Sequence, residues 1–335
     1  MLPKPPFVKE CPQLFLKPKL LRAAARKSMT IGIGFTTGDA AILCADTQET
    51  VSDYTKTTTQ KIRVTTFFNN WRLAICGSAD AAQYIELFES EVGSALCNAG
   101  KDFNYARSVK IIKATLHKIH KQYIWLRHGS EGRPQLQFLI AIQGINPNPS
   151  RSLLISRDGA LYPVPSHDHY ASIGVGYHMA QAIKDRLLPD AGMIYNSPTE
   201  VIANYGIYIL WHVRKSIVGC DGNTLVLILQ NGNYRWMTYE EVSEIENTIQ
   251  MLYPLQRELL SSLFNPAIDR QGVADVGNRF VDHVAFLKDQ LDQKHKMRQH
   301  VEELSNRARE KARQKAQQDA EQSKPSDSQT STGQP

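Results

Sequence analysis

TIGIGFTTGDAAILCADT, residues 30–47, decides how the rest of the chain is read. TIGIGFTT and AAILCADT are two apolar-rich runs with small residues, and Gly38 and Asp39 lie between them, the signature of a β-hairpin. The stretch opens on Thr30, directly after Met29. A threonine inside a chain has no base within reach. As the first residue it carries its own, because a free α-amine titrates at about pH 7.7 to 8 and can take the hydroxyl proton near neutrality.

Working outward, KIRVTTFF and WRLAICG form a second strand pair across Asn69-Asn70. After Gly77, with Ser78 as the expected N-cap, Ala82, Ile85, Leu87, Phe88 and Val92 fall at helical spacing. YARSVKIIKATLHKIHKQYIWL predicts a second helix with Val109, Ile112, Leu116 and Ile119 along one stripe. LQFLIAIQGI and RSLLISRDGALYPV read as strands separated by NPNPS, and YASIG as a further short strand. HMAQAIKDRLL and PTEVIANYGIYILWHVRKSI read as helices, the latter capped by Ser197 with Pro198 in its first turn. TLVLILQNGNYRWM closes with a hairpin around Asn231-Gly232. Strands and helices come in blocks, so an α+β sandwich of two antiparallel sheets with helices outside is expected over a doubly wound parallel sheet.

The 335 residues, 42% hydrophobic, are enough for a full core, and no apolar run approaches the ~20 residues of a bilayer span. Residues 1–29 carry Lys4, Lys9, Lys17, Lys19, Arg22, Arg26 and Lys27 against Glu10 alone, which accounts for the whole net charge of +6. The remainder is balanced, so a neutral body with a basic leader is expected, without a nucleic-acid surface or membrane attachment. The leader lacks a secretory h-region and reads either as a propeptide or as residues upstream of a true start at Met29. Five scattered cysteines, Cys11, Cys44, Cys76, Cys97 and Cys220, read as reduced, mostly buried thiols of a cytoplasmic protein.

With these pieces in order, residues 30 to about 237 resemble the proteasome β-subunit group of N-terminal nucleophile hydrolases, its bacterial proteasome-like branch included. The likeness rests on TIGIGF…AAILCADT, the lysine of TTTQKIRV, AICGSADAAQYIELFE, and YASIGVG before a helix. It implies a four-layer αββα sandwich and a threonine peptidase or amidohydrolase that works through an acyl-enzyme inside a homo-oligomeric ring. Position by position, Thr30 matches the nucleophile, Lys61 the nearby ammonium and Asp46 the carboxylate that keeps that ammonium charged. Arg63 is the reserve cation, expected on the same face two residues further on. Gly77 matches the oxyanion donor, a backbone N–H whose loss typically costs about 2.7 to 4 kcal/mol of barrier. Thr50 falls where backbone groups pair an extended substrate.

The chain departs from the resemblance in two places. Val175 stands where a serine is usual, and Val218 and Asp221 stand where an Asp-x-x-Ser arrangement is usual, leaving Asp221 as the group there able to bond an α-ammonium. A catalytically silent ring or scaffold protein that recruits partners through its C-terminal helices is therefore the alternative. No cofactor is implied. His167, Asp168 and His169, and the pair His117 and His120, lack a defined third ligand and read as solvated or loop histidines, so no metal is expected.

Beyond Met237, TYEEVSEIENTIQMLYPLQRELLSSLF is an amphipathic helix that Pro254 should divide or end. A further helix from about Val276 places Phe280, Val284, Leu287 and Leu291 on one seam, and helical composition continues to residue 322. This extension, residues 238–322, is the expected contact for an ATP-dependent unfoldase or another partner. Residues 323–335 are too polar to fold.

Overall fold

The computed structural model describes residues 31–50, 56–58, 60–67, 71–79, 82–100, 104–125, 135–144, 151–217 and 220–322. By its internal contacts the chain divides into two compact units, Met1–Glu246 and Asn247–Pro335.

In the first unit, β1 (Ile31–Thr36) and β2 (Ala40–Asp46) make the hairpin expected from residues 30–47. They lie in a five-stranded sheet with β10 (Tyr170–Gly174), β11 (Thr224–Gln230) and β12 (Asn233–Trp236), in the order β10-β1-β2-β11-β12. The second five-stranded sheet runs β5 (Ile62–Phe67), β6 (Trp71–Ala79), β7 (Leu136–Gly144), β8 (Arg151–Arg157) and β9 (Ala160–Pro163). All strand pairings in the two sheets are antiparallel among the described residues. A short ribbon of β3 (Gln48–Thr50) and β4 (Lys56–Thr58) stands apart and was not foreseen from the sequence.

The two sheets face each other across a core that includes Leu43, Cys76, Leu139, Leu153, Ile173 and Leu227. The period-two pattern of a strand sends alternate residues to opposite sides, so β1 presents Gly32 and Gly34 to this interior while Ile31, Ile33 and Phe35 are also fully buried. A Cβ at Gly32 would meet Cys76 Sγ at 2.6 Å, so the glycine permits the sheets to approach. On the outer face of the second sheet lie α1 (Ala82–Cys97) and α2 (Tyr105–Ile119), over a core of Phe88, Val92, Ile112, Leu116 and Phe138. Phe88 and Phe138 stack with ring centroids 4.1 Å apart. Against the first sheet pack α3 (Tyr177–Leu187) and α5 (Thr199–Ser216), with the short α4 (Ala191–Asn196) between them in sequence. The result is the expected α+β sandwich in four layers, αββα.

Local details differ from the sequence reading where pairing or packing overrides a local signal. Ser78 does not cap a helix: β6 continues through Ser78 and Ala79 because they pair with Gln137 and Leu136 of β7. RSLLISRDGALYPV is a hairpin, turned at Asp158 (φ 50°) and Gly159 (φ 81°), the positive-φ pair favoured in tight two-residue turns. Pro198, not Ser197, is the N-cap of α5, and Ser197 ends α4. Asn104 caps α2 by accepting from the Arg107 N–H at 2.9 Å. Asn104→Ala is expected to lower stability by about 1 kcal/mol, read as a shifted urea midpoint at constant slope; an unchanged midpoint would show that the cap contributes nothing.

Helix α6 (Tyr239–Phe264) begins in the first unit, with Val242 buried, and the division between units falls within it, after Glu246. The helix passes through Pro254 instead of stopping there. Pro254 removes one backbone donor, and because this stretch is exposed, water can satisfy the freed carbonyl. In the second unit α7 (Arg270–Gln322) is one helix of 53 residues, capped by Asp269, which accepts from the Gly272 N–H at 2.8 Å. Arg279 of α7 pairs with Glu258 of α6 at 2.7 Å. Along the expected seam only Leu287 is buried, and Val284 is 37% exposed. No helix among the described residues is long and apolar enough to cross a membrane.

Candidate active site

Asp46 is the last residue of β2, and Lys61 immediately precedes β5. The two strands belong to different sheets, so the sandwich brings the two side chains together from opposite layers. Lys61 Nζ lies 2.8 Å from Asp46 Oδ1, and the two side chains are 5% and 0% exposed. The ammonium also donates to the Gln48 carbonyl. The Ile31 N–H, at the start of β1, donates to the same Asp46 Oδ1 at 3.1 Å. Asp46 Oδ2 is buried and has no protein donor in hydrogen-bond geometry among the described residues.

A carboxylate this deeply placed is costly unless its charge is answered. Burial pushes the Asp46 carboxyl above the usual carboxylate range, and the Lys61 ammonium and the N–H groups of Ile31 and Asp221 pull it back. Cys76 beside this pair is held as a thiol, its pKa pushed up to about 12 by burial, and Cys220 is likewise raised to about 12. Neither sulfur is a thiolate at neutral pH.

Thr30 lies outside the described residues, as do the leader and Val218. Of the other expected site residues, the structure brings Asp46 and Lys61 into contact and places the Asp221 backbone beside them. The exposed Asp221 carboxylate accepts from the Gly222 N–H at 2.8 Å. Gly77 is within β6, opposite Phe138, and its N–H points at the Lys61 carbonyl at 3.4 Å. It precedes no helix directly, since α1 starts at Ala82, and a Cβ there would meet the Ile85 side chain at 2.7 Å. Thr50 pairs through its backbone with Lys56 in the β3–β4 ribbon. Val175 is 50% exposed.

Arg63 does not share the environment of Lys61. Lys61 sits ahead of the strand, so the two-residue rule does not connect them, and Arg63 turns to α1, 3.2 Å from Glu89 and 3.8 Å from Glu86. Burial raises the Glu89 carboxyl to about 7, against the pull of Arg63 and with the push of Glu86. Its folded pKa therefore exceeds the ordinary 4.5, the native state binds more protons between those values, and stability falls as pH rises through that window. Glu89→Gln should remove that loss: its melting temperature relative to wild type should climb from pH 4.5 to 7, by the equivalent of about 3 kcal/mol. Parallel curves would contradict the assignment.

His120 is a second departure. It is 2% exposed, not solvated, and neither ring nitrogen has a partner among the described residues. The cause is local: α2 passes at His120 into a π-helical turn, His120–Ile124, which packs the ring toward Trp125. Burial lowers its pKa, so it is neutral at pH 7. Sequence reading missed the Gln48 carbonyl and the Ile31 N–H as members of the site, and no signal marks them, because both are backbone groups whose role depends on where the strands end.

The fold of this chain is shared by solved structures. Anbu from Yersinia bercovieri, described as an ancestral β-subunit, aligns with a TM-score of 0.57 at 12% identity, over 72% of this chain and 99% of that one. This chain has the fold of the Anbu proteins. Anbu in a helical assembly from Pseudomonas aeruginosa gives the same TM-score, identity and coverage. The Gly-1 mutant of Anbu from Hyphomicrobium sp. strain MC1 aligns at 0.56 and 11% identity, over 68% of this chain and 96% of that one. No protein-family model matches the chain, and no curated protein does. At such identities the likeness to Anbu is a likeness of fold.

Proposed function

We propose that this chain is an N-terminal-threonine hydrolase of peptide or amide bonds, with Thr30 as nucleophile once Met29 or the whole leader is removed. The observation that carries the reading is the buried Asp46–Lys61 pair bonded to the Ile31 N–H. Ile31 is joined to Thr30 by one peptide bond, and this adjacency in sequence supports Thr30 as the residue that the pair serves. The Thr30 hydroxyl attacks the substrate carbonyl, its proton passes to the α-amine and from there to the leaving nitrogen, and the C–N bond breaks to release the amine product as the acyl-enzyme forms. Water then releases the acid and restores the hydroxyl. Lys61 lowers the effective pKa of the nucleophile electrostatically, and Asp46 keeps that ammonium charged. The Gly77 N–H, only 3.4 Å from its present acceptor, is weakly engaged and is the proposed oxyanion donor. Thr50 offers backbone groups to an extended substrate.

Assembly into a homo-oligomeric ring belongs to the same reading and is supported by the fold shared with Anbu, one example of which forms a helical assembly. Intact-mass measurement of the protein purified from its native cells tests the proposal. A start at Thr30 together with hydrolysis of fluorogenic peptides is the expected result. A retained leader with no hydrolysis would leave a non-enzymatic ring protein as the better account.

A further inference from the structure

The loop Cys220–Asn223 backs the Asp46–Lys61 pair and is held there by a clamp that no part of the proposed chemistry uses. Thr47 Oγ1 accepts from the Asn223 N–H at 2.9 Å, and the Thr47 N–H donates to the Asn223 carbonyl at 2.9 Å. Gly222, at φ 81°, lies so close that a Cβ would meet Thr47 Oγ1 at 2.6 Å and the Gln48 nitrogen at 3.2 Å. The loop is thus pressed against the residues that follow Asp46, including Gln48, whose carbonyl takes the Lys61 ammonium. Its outer side is gripped by Arg214 of α5, which donates to the Gly222 carbonyl through Nη1 and to Glu246 of α6 through Nη2, the latter at 2.5 Å. Glu246 also accepts from Thr224 Oγ1 at 2.6 Å, and Thr224 pairs directly with Asp46 in the β2–β11 register.

Building on the hydrolase reading, we propose that Arg214 and Glu246 are positioning residues of the active site: through the Gly222 carbonyl and Thr224 they fix the loop and strand end that set the Asp46–Lys61 pair. The guanidinium is well chosen for this, since its planar fork satisfies two acceptors at a fixed angle. Its side chain is 9% exposed and that of Glu246 is 23% exposed, so the pair is largely shielded from solvent. Loosening the clamp moves the Asp221 N–H away from Asp46, and the carboxylate loses one of the groups that stabilise its charge. The titratable groups facing Asp46 are Lys61 from ahead of β5, Cys76 from β6 and Cys220 from the loop itself.

The experiment compares wild type with Glu246→Ala and with Glu246→Gln, a milder change that keeps the side-chain shape should the alanine variant not fold. In active protein processed to Thr30, the clamp predicts a fall in kcat of about 10- to 100-fold with KM within about threefold. It also predicts that the acid limb of the pH–kcat profile moves to higher pH and that Arg214→Lys, which retains the charge, restores less than half of the loss shown by Arg214→Ala. A variant that only melts earlier, with kcat and the acid limb unmoved, overturns the proposal. If wild type hydrolyses nothing, the hydrolase reading fails separately, and NMR titration of carbon-13-labelled Asp46 decides the clamp: a midpoint raised in the Glu246 variants supports it, and an unmoved midpoint overturns it.

Discussion

Thr30→Ala, in protein processed to that residue, is expected to lower peptide hydrolysis at least about 10³-fold, because it removes the attacking oxygen and leaves the α-amine in place. Thr30→Ser should keep a measurable part of the rate, since it retains a hydroxyl at the β-carbon of the same first residue. Protein that keeps the residues before Thr30 should be as inactive as the alanine variant for the complementary reason: the hydroxyl is present, but the nitrogen that would accept its proton is locked in an amide. The two losses separate nucleophile from base. Rates are to be measured with fluorogenic peptides, and each N-terminus verified by intact mass. Hydrolysis by the alanine protein at the wild-type rate would remove Thr30 from the chemistry and place the activity elsewhere.

Lys61→Met is expected to cost about 3–5 kcal/mol of stability, the typical penalty for removing one member of a buried ion pair. The methionine fills most of the space of the lysine stem, so the effect comes from leaving the fully buried Asp46 charge unanswered. The pH dependence identifies the cause. Without the ammonium, the folded-state pKa of Asp46 rises further above its ordinary 3.8, and the native state binds the extra proton across that window. Stability of the variant therefore falls as pH rises from 3.8 through the raised folded value, and its deficit against wild type is smallest in acid. Lys61→Met combined with Asp46→Leu should recover much of the loss, since neither charge is then buried. Denaturation at pH 4 and pH 7 reads both effects. An equal deficit at the two pH values would mean that packing, not charge, is what Lys61 contributes.

Much of the architecture is legible in residue patterns because each signal is local. Gly38-Asp39 and Asn231-Gly232 turn the chain where they stand, and the Ile112, Leu116 and Ile119 stripe fixes the buried face of α2. The misreadings occur where a distant partner outweighs the local signal. Ser78 is a good cap in isolation, but pairing with Gln137 of β7 captures it as strand. Pro254 breaks helices in general, yet it is tolerated where water reaches the freed carbonyl. His120 looks like a surface histidine by spacing, until a π-helical turn rotates it inward.

The candidate site divides along the same line. Sequence patterns established the layered α+β sandwich and the hairpin that opens it, because strand alternation and turn chemistry are properties of short segments, and the candidacy of Asp46 and Lys61 came from the resemblance to the proteasome β-subunit group. Only the tertiary structure decided that Lys61 and not Arg63 meets Asp46, that the Gln48 carbonyl and the Ile31 N–H complete their surroundings, and that Arg214 and Glu246 hold the loop behind them. These contacts join groups from different sheets and helices. Their distances depend on how the layers close, and the closure is set by the packing of the whole core, which no short segment contains.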